Sequence, residues 1–353
     1  MHPWNERLTA LCDELRLEVR RGQAAAGTGR VERPVGRGVG DVTYDVDARC
    51  ERVIDRWLRE QARQGPLSLL TEDAGWRHLG PGGRESGGAA GAGEPLPVGG
   101  ADPFDHGGPR IAVDPVDGTR NLMADLRSGW TVVGLADAGR GQPRLSDLTF
   151  GLVSELPDSR AGRFRVLRAR TGRTCELEFR DAGDGGLLST RRLEVDGDDR
   201  PDHGYFPFVR FAPDLRPAIA AVEAEFFRLL SEHEGADTRQ CFDDQYICGG
   251  GQTVLLALGT YRSVVDVRGF AARLAGRETM TGKPYDVAGA LVCARAAGCV
   301  FTDEQGHELD FPIDCQTAVD LIGWTNARTA RRLWPHLRSA LERLRPRMAT
   351  ERA

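Results

Sequence analysis

Lysine is nearly absent from this 353-residue chain: of its 47 basic residues only Lys283 is one, and the rest are arginine. That imbalance reads as codon usage in a GC-rich genome rather than as a physical design. The eight cysteines (Cys12, Cys50, Cys175, Cys241, Cys248, Cys293, Cys299 and Cys315) contain no CxxC pair and no zinc-ligand spacing. They read as reduced, structural thiols of a cytoplasmic protein. No apolar run approaches the roughly 20 residues that span a bilayer. Residues 1–21 lack the apolar core of a signal peptide, and Leu8, Leu11, Leu15 and Leu17 among charges read instead as an amphipathic helix. A membrane role is therefore not expected. No GxxxxGK[ST] string occurs, which removes a P-loop. No internal repeat is present, and the 44 glycines follow no three-residue period, which removes a collagen-like fold. Acidic residues outnumber basic ones, 52 to 47, for a net charge of −5. The chain is no electrostatic match for nucleic acid.

What remains suits a large globular core. Hydrophobic residues make up 40% of the chain, enough to exclude global disorder. The length fits two domains or one large two-part unit. Helical periodicity marks 3–21, 48–63, 217–232, 286–298 and 327–344, with a further apolar helix over 252–258 after the run Gly249-Gly250-Gly251. Strand-like runs fall at 67–70, 110–113, 130–136, 149–154, onward to about 195, then at 261–267 and 299–302. This is a mixed α/β order without a sustained βαβ repeat. Residues 75–109, about a third glycine, predict a flexible surface insert, because they bury too little apolar surface to offset their ordering entropy.

The segment richest in chemistry is Asp114-Pro115-Val116-Asp117-Gly118-Thr119. Pro115 biases Asp114 toward extended backbone, and Asp117 stands where a following helix starts. Two carboxylates three residues apart across such a turn converge on one point. Gly118 admits close backbone approach to a ligand, and the Gly118 and Thr119 amides at a helix start suit an anion. The same string is also two ordinary turn dipeptides, Asp-Pro and Asp-Gly, so the rest of the chain decides between the readings.

The sequence resembles the inositol monophosphatase family of Mg²⁺-dependent phosphatases. Asp114-Pro115-Val116-Asp117-Gly118-Thr119-Arg120-Asn121-Leu122 resembles that family's DPxDGTxNF signature, and Tyr285-Asp286-Val287-Ala288-Gly289-Ala290 its WDxAAG signature. Thr71-Glu72-Asp73 resembles its acidic GEE segment, and Thr43 to Asp47 its upstream T…D segment. All four occur in the family's order, over about residues 5–345. The resemblance implies a layered αβαβα sandwich, an α/β (α+β layered) fold. Its N-terminal half (1–195) would carry most of the site and its C-terminal half (196–353) would supply Asp286. It implies two or three Mg²⁺ ions held by Glu72, Asp114, the carbonyl of Val116, Asp117 and Asp286. It implies hydrolysis of a small phosphate monoester by a metal-activated water, with Asp47 and Thr119 relaying its proton and Glu72 counted with them as catalytic. Asp117, Gly118, Thr119, Gly249 and Asp266 would meet the substrate, Asp266 through its hydroxyls. Inositol monophosphate is the implied default, and homodimers are usual in the family.

Several positions depart from the pattern. Tyr285 replaces the Trp, Leu122 the aromatic, and Asp73 the second Glu. A second insert, roughly 269–283, follows Asp266 and reads either as part of a lid or as a solvated loop. Arg268, Arg273, Arg277 and Lys283 in or beside it would suit a second phosphate, which makes a fructose-1,6-bisphosphatase the rival enzyme. A nucleotide 3′-phosphatase is disfavoured by Asn121-Leu122. A non-catalytic binding relative would be expected to have lost mapped ligands, and none is lost here. The run Cys248 to Gln252 reads equally as a substrate-facing helix start or as a plain loop-to-helix connection.

Overall fold

The computed structural model describes residues 2–26, 34–37, 42–80 and 102–350. In chain order the elements are α1 (Asn5–Ala26), β1 (Pro34–Arg37), β2 (Val42–Tyr44), α2 (Asp45–Ala62), β3 (Leu67–Thr71), β4 (Gly75–Leu79), β5 (Arg110–Asp117), α3 (Thr119–Met123), β6 (Gly129–Ala136), β7 (Leu148–Leu156), β8 (Arg163–Arg170), β9 (Cys175–Asp181) and β10 (Leu187–Leu193). There follow α4 (Arg216–Glu234), α5 (Gly249–Ala257), β11 (Ser263–Asp266), α6 (Arg268–Ala275), α7 (Pro284–Ala297), β12 (Val300–Thr302), β13 (Leu321–Trp324) and α8 (Ala327–Thr350).

They stack in five layers. α1 and α2 cover one face of an eight-stranded sheet of order β10-β9-β8-β7-β6-β5-β3-β4, and α5 and α7 cover the other. A three-stranded antiparallel sheet, β11-β13-β12, lies beyond α5, and α4, α6 and α8 close the stack. Each helix layer buries its apolar stripe against a sheet face. Leu8, Leu11, Leu15, Val53, Ile54, Trp57 and Leu58 fill the first interface. Ala288, Leu291, Val292 and Val254 fill the middle one, and Phe206, Phe208, Phe226, Ile322 and Leu337 the last. This is the αβαβα architecture the family resemblance implies.

The contact of α7 with the large sheet is backbone-close. A Cβ built on Gly289 would stand 2.0 Å from the Val133 carbonyl oxygen, and one on Gly151 2.4 Å from that of Gly289. Intrinsic propensity favours Ala over Gly inside a helix by about 1 kcal/mol, but the collision with β6 outweighs it. Gly289→Ala is therefore expected to destabilise by roughly 3 kcal/mol, read as a fall of several degrees in melting temperature. A rise in melting temperature would show that α7 is not seated this closely.

The expected flexible insert over 75–109 is ordered over its described ends, 75–80 and 102–109. Thr71 pairs with Gly75 across a three-residue turn, and β3 and β4 form a hairpin. Gly75 has φ +67°, the left-handed position such turns favour. Trp76 and Leu79 are buried, and Phe104 packs edge-on against Trp76. Ser68 Oγ, itself buried, lies 2.8 Å from His78 Nδ1 and 2.6 Å from His106 Nε2, fastening the returning chain to β3. The apolar anchors of these short stretches were diluted by their glycine-rich surroundings. Residues 81–101 lie outside the described residues.

The second expected insert, 269–283, is helical over its first half, through Ala275. Phe270, Ala271 and Ala272 of α6 are buried against the outer core, so only 276–283 is loop. Its apolar residues at 270–272 are the signal that a reading centred on its arginines passed over.

Candidate active site

β5 carries the centre. Side chains alternate across a strand, so Asp114 and Asp117, an odd number of residues apart, should face opposite sides of the sheet. They do not, because the register with β6 slips between them: Asp114 pairs with Val132 and Asp117 with Trp130. The extra residue falls at Pro115-Val116, where a missing N–H breaks no ladder bond. Val116 turns into the α1/α2 core with Ile111 and Val113, and Asp117 joins Asp114 on the side of α5 and α7. Thr131 Oγ1 donates to the Pro115 carbonyl at 2.9 Å and holds the bulge. Gly118, φ +87°, then starts the five-residue α3, and Leu122 packs beneath it, buried.

The other groups arrive from three directions. Asp47 sits in the first turn of α2, its Oδ2 accepting the Tyr44 backbone N–H at 2.9 Å. Its Oδ1 accepts from Thr119 Oγ1 at 3.1 Å, and that hydroxyl also lies 2.7 Å from the Val116 carbonyl oxygen. Glu72 occupies the β3–β4 turn. Asp286 caps the start of α7, accepting the Lys283 backbone N–H at 2.8 Å, and Tyr285 is buried beside it. The Thr43 side chain lies outside the described residues. All these groups line one cleft of about 580 Å³, together with Gly118, Gly249, Asp266 and Arg268.

The electrostatics are those of crowded acids. Burial, and then the charges of Asp117, Asp286 and Glu72, raise the Asp114 carboxyl well above its ordinary range. Burial lifts Asp286 to about 7, with Asp117 adding to it and the Lys283 backbone N–H opposing. Burial lifts Asp117 to about 6 against hydrogen bonds from Cys248, Gly250 and Gly249. Among the described residues no three acidic, histidine or cysteine side chains are gathered tightly enough to enclose an ion as they stand. Mutual repulsion between bare carboxylates opposes such closure. The donor set is nonetheless all oxygen and anionic, with Asp114 and Asp117 buried and Glu72 and Asp286 partly exposed, which fits hard divalent cations.

Several site contacts escaped the sequence. Cys248 Sγ donates to Asp117 Oδ2 at 3.0 Å, and the Gly249 and Gly250 amides donate to the same carboxylate at 3.2 and 2.5 Å. The glycine run thus meets Asp117, where a substrate contact for Gly249 was one of the two readings. Glu51 is half-buried behind the acidic turn, accepting from Thr71 Oγ1 at 3.1 Å and pushed by burial to about 7. Its place one helical turn after Asp47 was the available signal. Cys315 donates to the Thr71 carbonyl at 3.2 Å.

The cations that one of the two readings matched to a second phosphate each have a protein partner, although Arg268 and Lys283 line the cleft. Arg268 grips Asp266 with two bonds, Nε to Oδ1 at 2.8 Å and Nη2 to Oδ2 at 2.7 Å. Arg273 pairs with Glu304 and Asp320, Arg277 lies 4.0 Å from Asp214, and Lys283 Nζ donates to the Gln316 carbonyl. A sequence lists charges without their partners.

No family model and no curated protein matches this chain. Solved structures do match over nearly its whole length. An inositol monophosphatase–fructose-1,6-bisphosphatase has a TM-score of 0.62 at 16% identity, covering 96% of this chain and 100% of that one. The Leishmania major fructose-1,6-bisphosphatase has 0.63 at 10%, covering 94% and 92%. Inositol monophosphatase II of Staphylococcus aureus has 0.57 at 16%, covering 98% of each. The chain has the layered fold these proteins share.

Proposed function

We propose that the chain is a divalent-cation-dependent phosphatase acting on a small phosphate monoester, inositol monophosphate or a related cyclitol or sugar phosphate. The observation that carries this reading is the Thr119–Asp47 hydrogen bond set in the same cleft as Glu72, Asp114, Asp117 and Asp286. The structural neighbours include a Staphylococcus aureus enzyme crystallised with inositol monophosphate and with 2′-AMP, in keeping with a site for small phosphate esters. Glu72, Asp114, the Val116 carbonyl, Asp117 and Asp286 would hold Mg²⁺, two or three ions, between an N-terminal half (1–195) and a C-terminal half (196–353). When bound, such ions offset the charge of the phosphate and make a water nucleophilic at neutral pH.

The protein's own groups then have separable tasks. Thr119 Oγ1, donating to Asp47, keeps a lone pair for the attacking water, and Asp47 is the final proton acceptor. Gly118 keeps the turn low enough for a phosphate to approach. Asp266, fixed by three hydrogen bonds from Arg268, would present its remaining acceptor site on Oδ2 to a substrate hydroxyl. A soluble, cytoplasmic, homodimeric protein fits this reading, and among the described residues no helix is long and apolar enough to cross a membrane.

A sugar bisphosphatase ranks second, because Arg268 is the only one of the three insert arginines on the cleft and it is already clamped to Asp266. Purified protein assayed for phosphate release from inositol 1-phosphate, fructose 1,6-bisphosphate and 2′-AMP tests both readings. Release that depends on Mg²⁺ and favours the monophosphates is expected, and no release from any of them sinks the proposal. Thr119→Val is expected to lower turnover by about 10²- to 10³-fold, with Mg²⁺ binding by calorimetry unchanged. Loss of both together would reassign Thr119 to metal binding.

A further inference from the structure

We propose that Cys248 is a positioning residue that makes Asp117 a one-oxygen donor, and thereby sets the cleft's preference for Mg²⁺ over Ca²⁺; the inference rests on the proposed cation-dependent function. Cys248 is the residue just before α5. Its Sγ accepts the Gly251 N–H at 3.3 Å, as a helix-capping side chain does. Its own S–H faces Asp117, with Oδ2 nearer at 3.0 Å and the backbone carbonyl oxygen at 3.4 Å, and the Gly250 N–H also donates to Oδ2 at 2.5 Å. The Gly249 N–H reaches Asp117 Oδ1 at the longer 3.2 Å.

A carboxylate has about four acceptor sites, two on each oxygen. Two donors on Oδ2 fill that oxygen, and one on Oδ1 leaves a single site open. Asp117 therefore has one lone pair to offer a cation in the cleft. Mg²⁺ requires near-octahedral coordination at short distance and takes such single-oxygen donors. Ca²⁺ accepts six to eight oxygens and readily uses both oxygens of one carboxylate. The fixed Oδ2 thus withholds from Ca²⁺ the second oxygen it would use.

The close fit depends on the glycines. A Cβ on Gly250 would stand 2.9 Å from Asp117 Oδ2 and 2.6 Å from Val132 Cγ2. One on Gly251 would stand 2.7 Å from Cys248 Sγ, and one on Gly118 3.0 Å from the same sulfur. Gly250 and Gly251 are thus explained by the approach of α5 to Asp117 and Cys248, while a Cβ on Gly249 would meet Val287 of α7 at 2.9 Å. The thiol is the one side chain in that contact that both caps the helix and donates to the carboxylate.

The test is calorimetric titration of the full chain with MgCl₂ and with CaCl₂, without substrate, at pH 8. It compares wild type, Cys248→Ala, Cys248→Val (similar volume, no donor) and Cys248→Ser (donor retained). The Mg²⁺-to-Ca²⁺ affinity ratio is expected to fall at least fivefold in the Ala and Val variants, whichever of them folds, and to stay within twofold of wild type in the Ser variant. An unchanged ratio in Ala and Val, with wild type binding Mg²⁺, overturns the role of Cys248 and leaves the phosphatase reading standing. A Ser variant that shifts as Ala does overturns it as well. Wild type that binds neither cation overturns the function on which the inference rests.

Discussion

Asp114→Asn is expected to abolish phosphate release while raising the stability of the cation-free protein. Asparagine keeps the shape and the acceptor that takes the Val116 N–H at 3.0 Å, so the bulge should hold. It removes one of the carboxylates that would hold the proposed cations. A loss of 10³-fold or more is expected, about 4 kcal/mol at roughly 1.4 kcal/mol per decade. The stability effect has the opposite sign. The Asp114 carboxyl is raised by burial and by Asp117, Asp286 and Glu72. Such a group supports folding below its unfolded pKa, and that support is lost as pH climbs through the folded value. Asparagine carries no charge to be repelled. In EDTA at pH 8 the variant should therefore melt higher than wild type, and near pH 4 the two should converge. Retained activity contradicts the metal assignment, and a lower melting temperature at pH 8 contradicts the electrostatic account.

The same segment shows what was legible in the sequence and why. Asp114 and Asp117 stood out because Pro and Gly mark a turn regardless of context. Their shared direction was not legible, since it depends on where β6 pairs with β5, a register written in a different segment. The layered architecture was implied by the family resemblance, whereas periodicity gave only a mixed α/β order; the helices lie near their expected places because their apolar stripes are local. Gly75–Leu79 was lost to its glycine-rich context, although Trp76 and Leu79 were its anchors. The run Gly249-Gly250-Gly251 was visible, but its target was not: whether a helix start faces a substrate or a carboxylate depends on which strand arrives beneath it. Arg268 was seen as a cation and Asp266 as an anion, and only the fold shows that they satisfy each other.

Divalent cations should stabilise the protein strongly at pH 8 and little at pH 5. Burial holds Asp286 at about 7 and Asp117 at about 6, well above the ordinary aspartate range. Both carboxyls are raised, so each favours folding in acid and opposes it as pH climbs from about 4 through its folded value. For Asp286 alone the difference corresponds to something on the order of 4 kcal/mol withheld at neutral pH. A cation bound by these groups removes that repulsion, and binding contributes about 2.7 kcal/mol when free Mg²⁺ is 100 times its dissociation constant. At pH 5 both carboxyls keep their protons, protons compete with metal, and little is gained. Melting curves in EDTA and in excess Mg²⁺ at the two pH values are the check. In EDTA the stability should fall between pH 5 and 8, and Mg²⁺ should restore it at pH 8 by several degrees. A Mg²⁺ effect equal at both pH values would place the cation away from Asp117 and Asp286. No Mg²⁺ effect at pH 8, with a normal fall in EDTA, would mean that the buried acids are real but that the cleft does not hold the ion.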